Sequence, residues 1–465
     1  MKVHIQMVIS HDNQQQMTYD ILGLECKELS LETLGLTLTD SKMILVNVQK
    51  AMVSEQTKEF ISQHKGCRYC GKSRAIKGYH TITYRTLFGR LILQSPRLLE
   101  CACLSQKVTT ISPLTKVLVE RTSPELLYLE SKWASLMSYG VTASLLEEVF
   151  PIKISASTIC STAMKVATRL EQELPEEAHM FVEGCQNMWD RLPRPDLSLT
   201  VGLDGGYVHA REGADRKAGW FEVVVGKSMQ AEHPSKRFGY VSTYDTKPKR
   251  RLYEMLKEQG LQMNQAITFL TDGGDTVREL PLYLSPRSEH ILDWFHIAMR
   301  ITAMTQTAKG QLQEEYPVFL GKIERIKWYL WHGNVFRALD DLEALNEELY
   351  SWSEEVVSTK ETKQNKLWKL VDEFETYIKN NQAFIVNYGE KYRYDETIST
   401  AFVESTVNEL ISRRMAKKQQ MRWTKKGAHL LLQLRIKTLN GDLRALFIKW
   451  YPGMEIKNET FPRAA

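Results

Sequence analysis

The sequence predicts a mixed α/β chain, and three observations carry that expectation. Between residues 198 and 300 short apolar runs alternate with a helical pattern, residues 301 to 397 are nearly all helix formers, and two close cysteine pairs bracket a strand-turn-strand pattern upstream. Strands, then a helix, then further strands build a mixed sheet with helices laid against it. The organising stretch runs from Ala266 to Ile301. Its apolar run Ile267 to Leu270 stops in Thr271-Asp272-Gly273-Gly274, as a buried strand ends in a tight turn. Asp272 therefore sits at a strand's carboxyl end, where open α/β sheets put their chemistry.

Length and composition bound the rest. A chain of 465 residues has room for two to four domains, and 43% apolar content fills real cores. A net charge of +5 is modest at this size, so local clustering has to speak for partners. No apolar run approaches eighteen residues, and MKVHIQMVISHDNQQQ lacks a secretory apolar core, which predicts a soluble cytoplasmic protein with no membrane partner. Seven cysteines, an odd number, argue against a disulfide framework.

Residues 1 to 60 read as a mixed segment, with a strand over Met1 to Ile9 and a helix over Ser41 to Ser62. Residues 61 to 110 hold HKGCRYCGKS and the two strand-like runs on either side of Gly89. Cys67 and Cys70 precede that hairpin and Cys101 and Cys103 follow it, so four thiolates at its ends form the tetrahedral soft set that zinc prefers. The expectation is a structural zinc ribbon. Its Cys-x-Cys half is tighter than the usual knuckle, which leaves His64 or His80 open as a substitute ligand. Lysines and arginines from Lys65 to Arg97 suit it to phosphate contact. Residues 111 to 190 turn helical: Gly140 breaks a first helix, Thr142 caps a second, and Ser155 to Thr158 cap a third, a helix-turn-helix cadence. A plain helical bundle is the competing reading.

Residues 198 to 300 form the first part of the core. SLTVGLDGGYV carries Asp204, two further strands and the helix KRRLYEMLKEQG follow, and the organising stretch supplies the fourth and fifth strands. That is the succession of a ribonuclease-H-like core, whose two adjacent central strands each bear an aspartate. Its third carboxylate comes from a helix on the sheet, and Glu404 is the candidate, with Glu404, Asn408 and Ile411 on one helical face. Residues 301 to 397 read as an all-helical insertion, and 398 to 453 as the part that completes the core. Three carboxylates on this scaffold hold two magnesium (or manganese) ions about 4 Å apart, suited to in-line displacement at phosphorus.

The motifs LDGGYV, FLTDGGD, ILDWFHIAMRI, ERIKWYLWHGN, IVNYGEKY, TAFVESTVNELISRRMAKKQQMRWTKKGAHLLLQLR and KWYPG, in that order, resemble bacterial insertion-sequence transposases of the ISKra type, a Mutator-like group. The resemblance runs from about Ser198 to Gly453. It implies the acidic triad Asp204, Asp272 and Glu404 as catalytic residues and magnesium ligands, and it aligns Asp293 and His296 with a D-x-x-H signature that supports the site. Asp275 ranks below Asp272 because it lies beyond the strand end. It further implies a nucleoid-associated enzyme that cuts element ends and joins them to target DNA, acting as a homo-oligomer on double-stranded DNA. The run from Arg413 to Lys426 has no acid; Arg413, Arg414, Lys417, Lys418, Arg422, Lys425 and Lys426 are the candidate DNA contacts, with Trp423 either stacking on a base or anchoring the core. Two other functions fit the same residues: a nuclease without strand transfer, and a transposase-derived DNA-binding protein without catalysis.

Overall fold

The computed structural model describes residues 1–11, 16–25, 29–103, 109–176, 186–189, 191–193, 198–211, 219–231, 233–262, 264–278, 280–281, 288–354, 363–416 and 421–455. In chain order the first elements are strands β1 (Lys2–Ser10) and β2 (Gln16–Glu25), helix α1 (Leu38–His64), strands β3 (Ile76–Thr86), β4 (Gly89–Leu99) and β5 (Thr110–Ile111), and helices α2 (Pro113–Val117), α3 (Pro124–Leu136), α4 (Tyr139–Val149), α5 (Ala156–Glu173) and α6 (Gln186–Trp189). Then follow strands β6 (Leu199–His209), β7 (Trp220–Gln230) and β8 (His233–Val241), α7 (Pro248–Glu258), β9 (Ile267–Thr271), α8 (Asp275–Arg278) and β10 (Ser288–Leu292). The chain continues as α9 (Trp294–Lys309), α10 (Tyr316–Trp331), α11 (Val335–Glu354), α12 (Lys363–Asn381), α13 (Tyr388–Arg393), α14 (Ala401–Val407), a π-helix over Asn408–Ala416, α15 (Lys425–Leu439) and α16 (Leu443–Trp450). Two compact units result: residues 1–166 with 441–465, and residues 167–440.

In the first unit β1 and β2 form an antiparallel pair; β2 was not foreseen. β3 and β4 make the expected hairpin, and β5 adds to β4. Ile82, Leu91, Leu93 and Leu114 are its core, closed by Val53, Phe60 and Ile61 of α1. The helix-turn-helix expectation needs correcting at its caps. Ser138, whose side chain accepts from Val141 N, caps α4, so Gly140 and Thr142 lie inside that helix. The first helix has already ended at Leu136, and Ser155 caps α5 through Thr158 N at 3.2 Å.

The second unit is built on one five-stranded sheet of order β10-β9-β6-β7-β8. β6, β7 and β8 are an antiparallel meander, while β9 and β10 join parallel to β6. This mixed sheet is the strand order expected of a ribonuclease-H-like core. Side chains alternate across it. On one face Leu199, Val201 and Leu203 of β6 pack with Leu252, Met255 and Leu256 of α7. The other face takes α14 and the π-helix. There Gly202 and Gly206 leave room for Phe402, Val403, Val407 and Ile411, and an added Cβ at Gly202 would lie 2.2 Å from Val403 Cγ2. Between β10 and α14 the described residues form helices α9 to α13 and short links, and their core runs from Ile297 and Ile301 through Ile323, Leu342 and Phe374 to Tyr388. No helix among the described residues is long and apolar enough to cross a membrane.

Candidate active site

Asp204 belongs to the face of β6 that Gly202 and Gly206 open to α14, since residues two apart share a side of a strand. β6 and β9 pair in the register Leu199↔Ile267 to Gly202↔Leu270. Two steps further along the same register Asp204 stands beside Asp272. Both carboxylates are half-buried, and each takes a local backbone bond: Gly205 N donates to Asp204 Oδ1 at 2.7 Å, and Gly274 N to Asp272 Oδ1 at 3.0 Å. Burial pushes the Asp204 carboxyl up, and the charges of Asp272 and Asp293 push the same way against the Gly205 amide and the His296 ring. Negative groups held together with so few donors suit a divalent cation.

Asp293 is fully buried and serves as the N-cap of α9, accepting from Phe295 N at 2.8 Å. Its other oxygen accepts from the hydroxyl of Thr400, the residue before α14, and lies 3.7 Å from His296 Nε2. Trp294 N donates to Ile398 O at 3.1 Å beside it. Asp293 therefore ties the end of β10 to the start of the helix that crosses the sheet. It holds the site's frame as a cap.

Glu404 lies in α14, on the same side of the sheet as Asp204, but its side chain is exposed. The stripe that faces the sheet is Phe402, Val403, Val407 and Ile411, so the expected face of Glu404, Asn408 and Ile411 is corrected by about one position. The change of helix type at Asn408 contributes, because a π-turn advances each residue by a smaller angle than an α-turn. Among the described residues two groups bring three or more potential ligand atoms within 4.8 Å of one another, and Asp204, Asp272 and Glu404 are not one of them. Asp275 is exposed on α8, 3.5 Å from Arg278 Nη1.

The loop after β9 is gripped by α12, which the sequence did not suggest. Tyr377 donates its hydroxyl to Asp272 O at 2.9 Å. Gly273 has φ +81° and lies so close to Asn381 that a Cβ would sit 2.5 Å from its Oδ1. Arg278 Nη2 donates to both Gly273 O and Asn381 Oδ1 at 3.1 Å. The Arg300 guanidinium lies 4.2 Å from the Tyr377 ring.

Of the expected DNA contacts, Arg413, Arg422, Lys425 and Lys426 are exposed, and Lys417 and Lys418 lie outside the described residues. Arg414 departs from the expectation. It is fully buried with its guanidinium 5.4 Å from the Trp423 ring, and Trp423, itself buried, is a core anchor. Trp423 N donates to His209 O and Arg211 N to Trp423 O, both at 2.9 Å, so this segment runs beside β6 five to seven residues past Asp204. At the rise of a strand that is on the order of 20 Å along the sheet.

The first of the two ligand groups is Cys67, Cys70, Cys101 and Cys103. Their sulfurs lie 3.4 to 3.6 Å apart in the Cys67–Cys103, Cys70–Cys101 and Cys70–Cys103 pairs. A tetrahedron of ~2.3 Å zinc–sulfur bonds has edges of about 3.8 Å, so the set fits zinc closely. Amides of Cys70 and Tyr69 pull the Cys67 thiol down, while the Cys101 and Cys67 sulfurs push the neighbouring Cys103 thiol up, so the four crowded thiols share their protons unevenly until a cation joins them. Neither histidine substitutes: His64 Nδ1 is 2.8 Å from Phe60 O, and His80 Nε2 is 3.1 Å from Thr115 Oγ1.

The second group, Glu171, Asp245 and His429, is an ion-pair node. Arg251 fills its centre, donating to Asp245 at 2.9 and 3.2 Å, to Glu171 at 2.9 and 3.0 Å, and to Gln433 at 2.8 Å. His429 and Arg251 hold Glu171 down to about 2 against its burial. A metal ion would have to displace the guanidinium.

No family model and no curated protein matches the chain. Among solved structures a Drosophila P element transposase strand transfer complex matches at 10% identity with a TM-score of 0.24, over 70% of this chain and 80% of that one. That likeness is too slight to assign an activity.

Proposed function

We propose that the chain is a DNA transposase acting by metal-dependent phosphodiester cleavage and strand transfer. The observation that carries the reading is the nearness of Asp204, on β6, to Asp272, the residue that follows the end of the parallel neighbour β9, whose charge acts on the Asp204 carboxyl. The seven ISKra-type motifs support it from the sequence side. Asp204 and Asp272 would hold divalent cations, magnesium or manganese, with Glu404 completing the set from α14, and two ions there would activate the attacking oxygen and stabilise the leaving one. The chain's own residues do the positioning. Gly205 N and Gly274 N orient the two carboxylates, the cap formed by Asp293 sets α14 over them, and His296 adds a partly exposed ring beside Asp293. Arg413, Arg422, Lys425 and Lys426 supply phosphate contacts. The zinc-ribbon-like module of residues 61–110 and the helical domain of 111–190 recognise element ends, and a homo-oligomer brings two ends together.

The test uses oligonucleotides carrying the element's ends with magnesium. Asp204→Asn and Asp272→Asn each reduce strand cleavage at least about 10³-fold, a loss on the scale of a removed transition-state group, while end binding survives. Undiminished cleavage in either removes that residue from the site. One observation favours a second reading, a DNA-binding protein without catalysis: the Glu404 side chain is exposed and apart from the aspartates. Glu404→Gln separates the two, since the catalytic reading requires cleavage by the wild type and its loss in the variant. Pre-cleaved ends that are never joined to target would leave a nuclease.

A further inference from the structure

The exposed cations Arg422, Lys425 and Lys426 stand far from the chemistry, on the order of 20 Å along the sheet from the aspartates. One arginine stands close. On α9 His296 lies 3.7 Å from Asp293, and Arg300 follows it one turn later on the same side of the helix. The Arg300 guanidinium is 4.2 Å from the centre of the Tyr377 ring, and the hydroxyl of that ring donates to Asp272 O at 2.9 Å. One ring's width therefore separates this cation from the loop that carries Asp272. Burial holds the Tyr377 phenol up, the Arg300 charge pulls against it, and the charges of Asp272 and Asp293 add to it, so cation and carboxylates meet around one side chain. Arg300 is exposed, and among the described residues nothing accepts a hydrogen bond from its guanidinium and no carboxylate pairs with it. Its neighbour Arg278 differs, donating to Gly273 O and Asn381 Oδ1 and lying 3.5 Å from Asp275.

We infer that Arg300 binds substrate at the cleavage site itself, gripping the DNA phosphate next to the one that is cut. The inference rests on the reading of the chain as a metal-dependent transposase and adds to it the residue that aligns the strand. The scissile phosphate turns its oxygens toward the cations that Asp204 and Asp272 would hold. Arg300 stands a ring's width from that loop, which keeps it out of the metal set and within reach of the neighbouring phosphate. A guanidinium laid on an aromatic face keeps its planar fork of donors free, and the fork takes two phosphate oxygens at once. That fixes the direction of the strand as well as its position, which a point charge does not. Because the Tyr377 ring already holds the side chain in place, little of its freedom is lost when it grips the strand.

Single-turnover cleavage by the full chain tests it, on end oligonucleotides in which each phosphate flanking the cut is replaced in turn by a neutral methylphosphonate. On the unmodified strand Arg300→Gln should slow cleavage at least about thirtyfold, within the roughly hundredfold that lost alignment costs, and Arg300→Lys should recover only part of it. At one flanking position the methylphosphonate should slow the wild type by a similar factor and leave Arg300→Gln no slower than before, because the contact is already missing. The slope of log affinity against log salt should fall by about 1 in Arg300→Gln, and the magnesium requirement should stay in place. A prop for Tyr377 and nothing more would instead raise the magnesium requirement and give equal losses on every substrate. Full-rate cleavage by Arg300→Gln, or a loss that no methylphosphonate cancels, overturns the proposal and leaves the transposase reading standing. A wild type that cleaves nothing with magnesium removes that reading, and this inference with it.

Discussion

One hydroxyl reaches across 105 positions of sequence: Tyr377 on α12 donates to the carbonyl of Asp272. Tyr377→Phe removes that bond and little else, so it should cost about 1 kcal/mol of stability and raise the magnesium concentration needed for half-maximal cleavage, with manganese restoring the rate. An unchanged metal requirement would confine Tyr377 to packing. Glu130 makes a prediction by pH. Burial raises its carboxyl to about 7, against the pull of the Thr162 and Arg85 side chains. A carboxyl with a raised folded pKa binds its proton more tightly when folded, so its contribution is complete below about pH 4.5 and fades as pH climbs through 7. Melting of the wild type should fall across that window by up to roughly 3 kcal/mol, and Glu130→Gln should flatten the slope. Asp204 and Asp272 were legible as candidates because Asp-Gly-Gly after an apolar run announces itself locally, although only β9 stops there and β6 runs on through Gly205 and Gly206 to His209. Tyr377, Asn381 and Thr400 were not, because each acts through one bond to a residue distant in sequence, and no local pattern marks such a partner.

At the scale of elements, α14 depends on two missing side chains. Gly202→Ala would drive a methyl into Val403 and Phe402, so it should destabilise by roughly 1–3 kcal/mol and lower cleavage further than its melting point alone explains, by lifting α14 off the aspartates. Equal loss in both measurements would make α14 a lid without chemistry. The cysteine module makes its own prediction. The purified chain should carry one zinc ion, Cys101→Ser should lose it, and the loss should appear as a lower melting temperature, because metal affinity adds directly to folding free energy. The sheet, the hairpin with its cysteines and the long helical tract were all visible as periodicity and punctuation. The π-helix was not: an α-helical wheel laid over residues 401 to 418 puts Glu404 on the sheet-facing stripe, whereas the real stripe runs through Val403 and Val407. β2 was missed for a different reason, since its neighbours carry no turn signal strong enough to mark a hairpin.

For the whole molecule, a net charge of +5 gives no strong field, so DNA affinity must come from where the cations stand. Arg422, Lys425 and Lys426 are exposed near the segment that pairs with the end of β6, on the order of 20 Å from the aspartates, a span of about six base pairs at roughly 3.4 Å each. Arg414 sits in the same sequence run but packs on Trp423 in the interior. The two sets should separate by experiment. Replacing Arg422, Lys425 and Lys426 together with alanine should lower the slope of log affinity against log salt by about 3, close to one released counterion for each lost phosphate contact, and leave the melting temperature in place. Arg414→Ala should do the reverse, with a lower melting temperature and, per folded molecule, the same salt slope. If the triple variant keeps the full slope, the DNA path does not follow this edge of the sheet, and the cations around the cysteine hairpin become the principal phosphate contacts.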